Sequence, residues 1–326
     1  MNVGVWFDLR NPPRWRRPPA ELYAATLEQC EEAEALGLHS IWVSEHHGFE
    51  DDYLPQPLTF AAAIAARTKR VRIGTAALLA PLYLHAALAE QTALVDIISG
   101  GRLDLGLGAG YRAPEFALFG RDMKGRFAAL DACPDRLREL WGSGAVTPVP
   151  IQEPLPIWIG LQTPKGARRV GLAGERFLSG NPTLWPAYRD ALAEAGHPPE
   201  RGVMTGAIVG FVSEDPEADW VGIKHHLAWQ WDTYRRYTVE GTDQPVPPPV
   251  DPDELRGQGM AARSGDGFFI GTPEEWRDAL RARYDGIPME TVFFVGSIAS
   301  LPDDVVARQL AAITRLAGLV RDEPLD

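Results

Sequence analysis

Cysteine is nearly absent from this chain of 326 residues, which contains only Cys30 and Cys133. Two isolated cysteines provide neither a disulfide framework nor a cysteine-based zinc site, and they suit a reducing compartment. Positive charge is also in deficit, because 32 Lys and Arg stand against 44 Asp and Glu, a formal net charge of −12. An acidic chain is a poor match for nucleic acids and for anionic membrane surfaces, so we expect neither as a partner.

Long hydrophobic runs are missing as well. No apolar stretch approaches the roughly 20 residues that a membrane-spanning helix needs. The amino-terminal segment, from Met1 to Asp8, lacks the basic region that opens a secretory signal peptide. Together with the scarcity of cysteine, these absences predict a cytoplasmic protein without a membrane segment.

Apolar residues make up 45% of the chain and include ten tryptophans, enough for a large core. Several predicted strands are continuous apolar runs, as a sheet covered on both faces requires. Helical patterns lie between them: the first stops at Gly37, and Thr272, Pro273 and Glu275 form a capping sequence for a later one. The predicted strands are 2–7, 39–43, 70–79, 102–107, 156–160, 176–179, 204–212 and 290–295. The predicted helices are 19–36, 56–68, 85–98, 126–141, 164–173, 183–195, 216–238, 273–284 and 302–320.

This alternation predicts an α/β fold, specifically a TIM (β/α)8 barrel. A doubly wound open sheet is the alternative, because counting elements does not separate a closed sheet from an open one. No sharp linker divides the chain, so we expect one domain over residues 1–326, with an extended loop region before the last helices. The proline-rich stretch 244–252 in that region is either a lid or site wall, or a semi-rigid surface strap.

The most informative segment runs from Leu38 to His47. A predicted strand leads directly into Glu45, His46 and His47, at the end of the strand where parallel α/β folds carry their chemistry. Imidazole exchanges protons near neutral pH, so this segment suits a general acid or base. The alternative is a surface turn that happens to contain two histidines.

Several blocks of sequence occur in the order found in the flavin-dependent luciferase-like monooxygenases, the superfamily that includes bacterial luciferase. The chain resembles that family densely over residues 1–125 and more thinly afterwards. The matching blocks are 38–47, 63–68, 71–77, 88–91, 94–111 and 115–120, followed by weaker similarity at 156–160 and 269–273.

The resemblance implies a TIM-like barrel that binds reduced FMN at the carboxyl ends of its strands and uses O2 to oxygenate a small-molecule substrate. No NAD-binding domain is visible in the sequence, so a separate flavin reductase would supply the reduced FMN. The resemblance also implies a homodimer formed through the helices at 56–68 and 85–98. Substrate choice is expected to depend on variable loops such as 48–55 and 238–268.

By the same resemblance, His46 aligns with the catalytic histidine of bacterial luciferase. Glu45 and His47 are expected beside it, where they fix its tautomer or line the pocket. A non-prolyl cis peptide bond is expected between Ala76 and Ala77 beneath the flavin, with an ordinary trans strand end as the alternative. Small residues there let a flat ring approach the backbone.

The glycine-rich strand end Gly108, Ala109, Gly110 and Tyr111 is also expected to pass close to the flavin. It superficially resembles a dinucleotide fingerprint, but it lacks the third glycine, and no amphipathic helix is expected to begin at once. Bacterial luciferase has a cysteine and a phosphate-binding arginine where this chain has Gly108 and Ala109, which puts that phosphate contact in doubt. Arg112 would replace it or form a surface salt bridge.

The FMN phosphate is expected instead at 160–169, which follows a predicted strand and opens a helix. A capping threonine and a proline in the first turn leave free backbone amides facing an anion. The expected contacts are Gly160, Gln162, Thr163, Lys165 and Gly166, with Arg168 or Arg169 adding charge. The alternative is a well-capped helix with a solvated basic turn.

Aromatic and imidazole side chains crowd one predicted helix, at His225, His226, Trp229, Trp231 and Tyr234. They either line the substrate pocket or form a core stripe at helical spacing. No metal site is predicted. Two other functions stay open: an oxidoreductase that transfers hydride with the deazaflavin F420, and a non-catalytic flavin-binding subunit.

Overall fold

Parallel strands close on themselves in the computed structural model of this chain, which describes residues 1–257, 259–260 and 267–322. The strands follow one another around the sheet in the order β3, β2, β1, β11, β8, β7, β6, β5, and β3 pairs with β5 to complete the circle. Every pairing is parallel, so all the carboxyl ends of the barrel strands lie at one rim. The strands are β1 (Asn2–Phe7), β2 (Ser40–Val43), β3 (Arg72–Thr75), β4 (Leu78–Leu79), β5 (Leu103–Gly108), β6 (Ile157–Gly160), β7 (Arg176–Leu178), β8 (Met204–Ile208), β9 (Gly210–Val212), β10 (Phe269–Gly271) and β11 (Met289–Val295).

Helices connect the strands, as parallel neighbours require. They are α1 (Pro19–Ala35), α2 (Pro57–Arg67), α3 (His85–Ser99), α4 (Ala113–Leu118), α5 (Arg126–Gly142), α6 (Pro164–Ala173), α7 (Trp185–Glu194), α8 (Pro216–Val239), α9 (Pro273–Arg283) and α10 (Asp303–Asp322). The predicted (β/α)8 barrel is therefore confirmed, and the open-sheet alternative is wrong.

Two predicted strands are divided in the structure. The run at 70–79 breaks into β3 and β4 at Ala76 and Ala77, which are joined by a cis peptide bond, as predicted. The run at 204–212 breaks into β8, in the barrel, and β9, which pairs with β10 in a separate small sheet. Strand β10 and helix α4 were absent from the predicted elements.

Large side chains on the barrel strands are closely packed. Trp42 is 2% exposed and stacks on Phe293 with ring centroids 4.6 Å apart. A Cβ at Gly74, opposite Trp42 on the neighbouring strand, would lie 2.2 Å from the indole, so only glycine fits there. Trp158 is also buried and donates its indole N–H to Asp104 Oδ1 at 3.2 Å. Both tryptophans are core residues.

Local signals in the sequence correspond to caps in the structure. Thr272 and Glu275 form the reciprocal capping box at the start of α9.

Cys30 and Cys133 are free and buried, and burial raises the pKa of both thiols, that of Cys133 to about 12. Within the described ranges, no helix combines the length and apolar character needed to cross a bilayer.

The proline-rich stretch 244–252 lies on the surface alongside α8. Asp232 accepts a hydrogen bond from the Val250 N–H at 3.0 Å, and Arg235 donates to the Pro248 carbonyl at 3.0 Å. These contacts favour the surface strap over the lid. Residues 258 and 261–266 of the predicted variable loop 238–268 lie outside the described residues.

Candidate active site

His46 is held at the carboxyl rim of the barrel by a carboxylate from a distant part of the chain. It is the third residue after β2 and is 8% exposed. Its Nδ1 lies 2.8 Å from Oε1 of Glu115, and the same oxygen accepts the His47 backbone N–H at 2.9 Å. Glu115 is in the first turn of α4 and is fully buried. A carboxylate at Nδ1 keeps a proton on that nitrogen, which leaves Nε2 as the atom that can accept or donate one.

The neighbouring pair, Glu45 and His47, forms a separate contact. His47 Nε2 lies 2.7 Å from Glu45 Oε1, while Glu45 Oε2 accepts the Leu79 backbone N–H at 2.8 Å. Burial raises the pKa of the Glu45 carboxyl, opposed by its hydrogen bonds to His47, Leu79 and Tyr83. The expectation that Glu45 or His47 fixes the tautomer of His46 is thus corrected, because Glu115 occupies that position. Both imidazoles are buried, so the surface-turn alternative is wrong.

Aromatic rings surround the His46 imidazole. Phe49 stacks on it at 4.5 Å between centroids, and Tyr53 and Tyr111 present edge contacts at 4.8 and 5.3 Å. Tyr234 from α8 lies at 6.3 Å. These rings come from the loop after β2, the loop after β5 and α8, and they limit the access of water to the imidazole.

The aromatic and imidazole residues of α8 divide between two surroundings. Tyr234 faces His46, which supports the pocket-lining interpretation for that residue. His226 instead stacks on Trp15 at 3.8 Å, and its Nδ1 bonds the Ala299 carbonyl at 2.9 Å. Burial lowers the pKa of His226. His225 is exposed. The helix therefore contributes to the pocket through some of its rings and to the core through others.

Three strand ends bring small residues together beside the histidine segment. A Cβ at Gly108 would lie 3.1 Å from the Ala77 Cβ, and one at Gly160 would lie 3.7 Å from it. Ala76 and Ala77 are partly buried, and Ala109 is 5% exposed. Gly110 has a φ of +70°, a conformation that favours glycine, and it leads into Tyr111. Because side chains are nearly absent here, a flat ring system can lie directly against the backbone. The residues present therefore fit a flavin or deazaflavin.

The amino end of α6 follows β6 at the same rim. Thr163 caps the helix by accepting the Gly166 N–H at 3.0 Å. Gln162 bridges to β7, donating to the Leu178 carbonyl at 3.1 Å and accepting from Ser179 Oγ at 2.9 Å. Lys165 is exposed and has no ion pair among the described residues. These residues provide backbone amides and one cation for an anionic group.

The more distant arginines of that segment are already engaged. Arg168 pairs with Glu194 at 2.7 Å and Arg169 with Asp131 at 2.8 Å, both on the outer surface. The expectation that they add charge to a phosphate site is corrected accordingly.

Arg112 has neither of the two roles considered for it, a phosphate contact or a surface salt bridge. It is 5% exposed, donates to the His47 carbonyl at 2.6 Å and forms an ion pair with Glu240. Its guanidinium lies 4.5 Å from the Tyr237 ring centroid. Arg112 thus joins the histidine segment to the end of α8, and it is neither a surface salt bridge nor open to a phosphate.

Helix α4 and its glutamate were missed by the sequence reasoning, which expected no helix directly after Gly110. The helix begins three residues later and is only six residues long, too short for periodicity to reveal. A signal was nevertheless present, because Pro114 followed by Glu115 is typical of a first helical turn.

Comparison with known proteins places this geometry among related enzymes. A family model described as luciferase-like monooxygenase matches residues 1–312. The chain is 34% identical over 192 residues to an F420-dependent glucose-6-phosphate dehydrogenase of Amycolatopsis mediterranei, covering 52% of this chain and 57% of that protein. It is 32% identical over 160 residues to the oxygenase component of a flavin-dependent trigonelline monooxygenase of Acinetobacter baylyi, covering 44% of each. The matched regions span about half the length of these curated relatives.

Solved structures match over nearly the whole chain. The monooxygenase RslO1 from Streptomyces bottropensis superposes with a TM-score of 0.78 at 25% identity, covering 97% of this chain and 98% of that one. An F420-dependent secondary alcohol dehydrogenase in complex with an F420–acetone adduct gives a TM-score of 0.72 at 18% identity, covering 97% and 99%. The second likeness shows the shared fold alone.

Proposed function

Because this chain belongs to the luciferase-like monooxygenase family, we propose that it is a flavin-dependent monooxygenase. In this proposal it takes reduced FMN from a separate flavin reductase and uses O2 to oxygenate a small organic substrate. The bound reduced flavin supplies the electrons that activate dioxygen, chemistry that amino-acid side chains do not provide. We place the enzyme in the cytoplasm, which two buried free thiols support.

The observation that carries the proposal is the His46–Glu115 contact beside the small-residue surface at Ala77, Gly108 and Gly160. Glu115 orients the imidazole and stabilises it when protonated, so that His46 Nε2 can hold or release a proton during turnover. Phe49 and Tyr53 pack against the imidazole.

The remaining proposed contacts hold the cofactor. Ala76, Ala77, Gly108, Ala109, Gly110 and Tyr111 would lie against its ring system, and the α6 end would hold its phosphate through Thr163, Gly166 and Lys165. Gly160 and Gln162 complete that surface. Glu45 would support the ring-binding side by accepting the Leu79 backbone N–H, and His47 would hold Glu45 in place.

F420-dependent hydride transfer is the second candidate function, and similarity to F420-dependent dehydrogenases favours it. In that reaction His46 would take the proton of a substrate alcohol. The buried His46–Glu115 pair supports an enzyme over a non-catalytic subunit, because the carboxylate orients the imidazole with Nε2 as the atom that can exchange a proton.

Cofactor titration distinguishes these functions. Under anaerobic conditions the protein is titrated with reduced FMN and, separately, with F420, and binding is followed by absorbance and fluorescence. We expect micromolar binding of reduced FMN and reaction of the complex with O2. Binding of F420 alone, with its reduction by an alcohol, would establish the second function. Failure to bind either would overturn our proposal, and binding of reduced FMN without reaction of the complex with O2 would leave the non-catalytic flavin-binding subunit.

We also propose a homodimer. Apolar side chains on the outer face of α3 are open to solvent in the isolated chain: Leu94 is 48% exposed, Ile97 38% and Ile98 49%. Leu84, directly before α3, is 67% exposed. A row of large apolar side chains on one helix favours burial against a second copy.

A further inference from the structure

A second group of buried charges lies at the carboxyl end of β1 and takes no part in the contacts described above. Asp8 and Arg10 directly follow β1, and Asp51 belongs to the loop after β2. Arg10 Nε lies 3.2 Å from Asp8 Oδ2, and Arg10 Nη1 lies 2.6 Å from Asp51 Oδ2. None of the three residues is more than 1% exposed.

Two polar atoms in this group have no hydrogen-bond partner among the described residues: Arg10 Nη2, a donor, and Asp51 Oδ1, an acceptor. Buried polar atoms are almost always hydrogen-bonded, because leaving one without a partner is costly. Nη2 is bonded to the same carbon as Nη1, and Oδ1 to the same carbon as Oδ2, and Nη1 and Oδ2 lie 2.6 Å apart. The two atoms without partners are therefore close enough for one small functional group to bind both. The ion pair therefore has one donor and one acceptor left for a ligand.

The cluster borders the pocket of His46. The Arg10 guanidinium lies 4.8 Å from the Tyr53 ring centroid and 4.3 Å from that of Tyr234, and both rings contact His46. Trp229 lies alongside Asp51, with its indole nitrogen 3.4 Å from Oδ2. Aromatic surface thus surrounds the two free polar atoms and connects them to the site of proposed chemistry.

Charge limits what this position accepts. Two carboxylates repel an anion, while the guanidinium repels a cation and already covers the faces of Tyr53 and Tyr234. A neutral group that accepts from Arg10 and donates to Asp51 satisfies both free atoms. A carboxamide or lactam does this with its carbonyl oxygen and its N–H, two atoms that can reach two different side chains.

We propose that Arg10 and Asp51 form a subsite that binds the substrate through a neutral carboxamide or lactam group next to an aromatic body. This assignment rests on the proposed function at one point: it takes the bound ligand to be the substrate that reacts beside His46. The subsite is built by the protein alone, so its binding is measurable without flavin.

The test uses the full chain, free of cofactor, and benzamide as the probe. Binding is followed by tryptophan fluorescence, to which Trp229 contributes, and by thermal shift. We expect saturable binding of benzamide and at least tenfold weaker binding of N,N-dimethylbenzamide, which lacks the N–H, and of benzoate, which is anionic. Two results with the wild-type protein would overturn the proposal. One is the absence of saturable benzamide binding, and the other is equal binding of benzamide and N,N-dimethylbenzamide.

A matched pair of variants adds a second measurement. Asp51→Asn can keep an oxygen facing Arg10 Nη1 and replace the free acceptor with an amide donor, so benzamide binding should weaken at least tenfold. Asp52→Asn makes the same change at the next residue, whose exposed side chain pairs with Arg16 at 3.2 Å, and binding should be unaltered. Unchanged affinity in a folded Asp51→Asn protein would contradict the subsite. Reduced FMN is titrated in parallel with the wild-type protein: absence of benzamide binding alone overturns the subsite, and absence of flavin binding alone overturns the proposed function.

Discussion

The Nδ1 of His46 and the Oε1 of Glu115 lie 2.8 Å apart although 69 positions separate the residues in the chain. The barrel produces this contact, since His46 follows β2 and Glu115 lies just after β5, and both β2 and β5 pair with β3. The same Glu115 oxygen holds the His47 backbone. One buried carboxylate therefore sets both the path of the histidine segment and the orientation of its imidazole.

Replacing the charge of Glu115 while keeping its shape separates these two roles. In Glu115→Gln the amide oxygen can still accept from His46 and His47, and the amide nitrogen can take the place of Oε2, which has no partner among the described residues. We expect a folded protein with kcat lowered about tenfold, since the protonated imidazole loses its counter-charge. The acid limb of the pH–rate profile should move to lower pH.

Glu194→Gln is the matched control for that experiment, because Glu194 forms an exposed pair with Arg168. It should leave both kcat and the pH profile as they are. A Glu115→Gln protein with the unmodified profile would show that the carboxylate acts on structure alone.

Removal of the His46 imidazole tests the proton-handling role directly. We expect His46→Ala to fold normally, to bind reduced FMN and to lose about 10²–10⁴-fold in turnover, the usual contribution of a general acid or base. His225→Ala, which removes an exposed histidine from α8, should retain full turnover. Full turnover by His46→Ala would refute the role.

The small-residue surface predicts a defect in cofactor binding. In Gly108→Ala the new Cβ would lie 3.1 Å from the Ala77 Cβ and occupy the space assigned to the ring system. We expect the Kd for reduced FMN to rise about tenfold, equivalent to about 1.4 kcal/mol. Gly125→Ala places a methyl group in open space and should change neither the Kd nor the melting temperature. An unaltered Kd for Gly108→Ala would place the flavin elsewhere.

Much of the fold was predictable because its information is local. Apolar runs and caps located the barrel strands and their helices, and Gly37 and Thr272 marked helix ends, as their caps in the structure show. Helix α4 escaped because six residues are too few for periodicity to reveal, and β10 escaped because it pairs with β9 outside the barrel.

The site was only partly predictable, for a different reason. His46 was identifiable because it follows a strand, but its partner Glu115 is set by which strands neighbour one another in the barrel. The same applies to Arg10 and Asp51, which meet only when the loops after β1 and β2 come together. Contacts between loops depend on the closed barrel and leave no spacing pattern in the sequence.

Asp8 predicts a pH dependence of stability. Burial raises the pKa of its carboxyl from 3.8 to about 6 despite the neighbouring Arg10. Between these values the folded state holds a proton that the unfolded state has released, so the free energy of unfolding falls as pH rises from about 4 to about 6. Asp8→Asn should remove this component. In urea denaturation at pH 4, 5, 6 and 7, the free energy of unfolding of the variant should therefore fall less with rising pH than that of the wild type. A wild-type curve parallel to that of the variant would contradict the raised pKa.

The exposed apolar face of α3 predicts the oligomeric state. If Leu94, Ile97 and Ile98 lie in a dimer interface, Ile98→Glu buries a charge there and should shift the protein to monomer. Sedimentation equilibrium is the direct measurement, and the wild-type mass should be twice that of the chain, 35.8 kDa. Val221→Glu introduces the same side chain at an apolar residue of α8 that is 68% exposed, and the dimer should persist. A wild-type monomer, or a dimer that withstands Ile98→Glu, would move the interface away from α3.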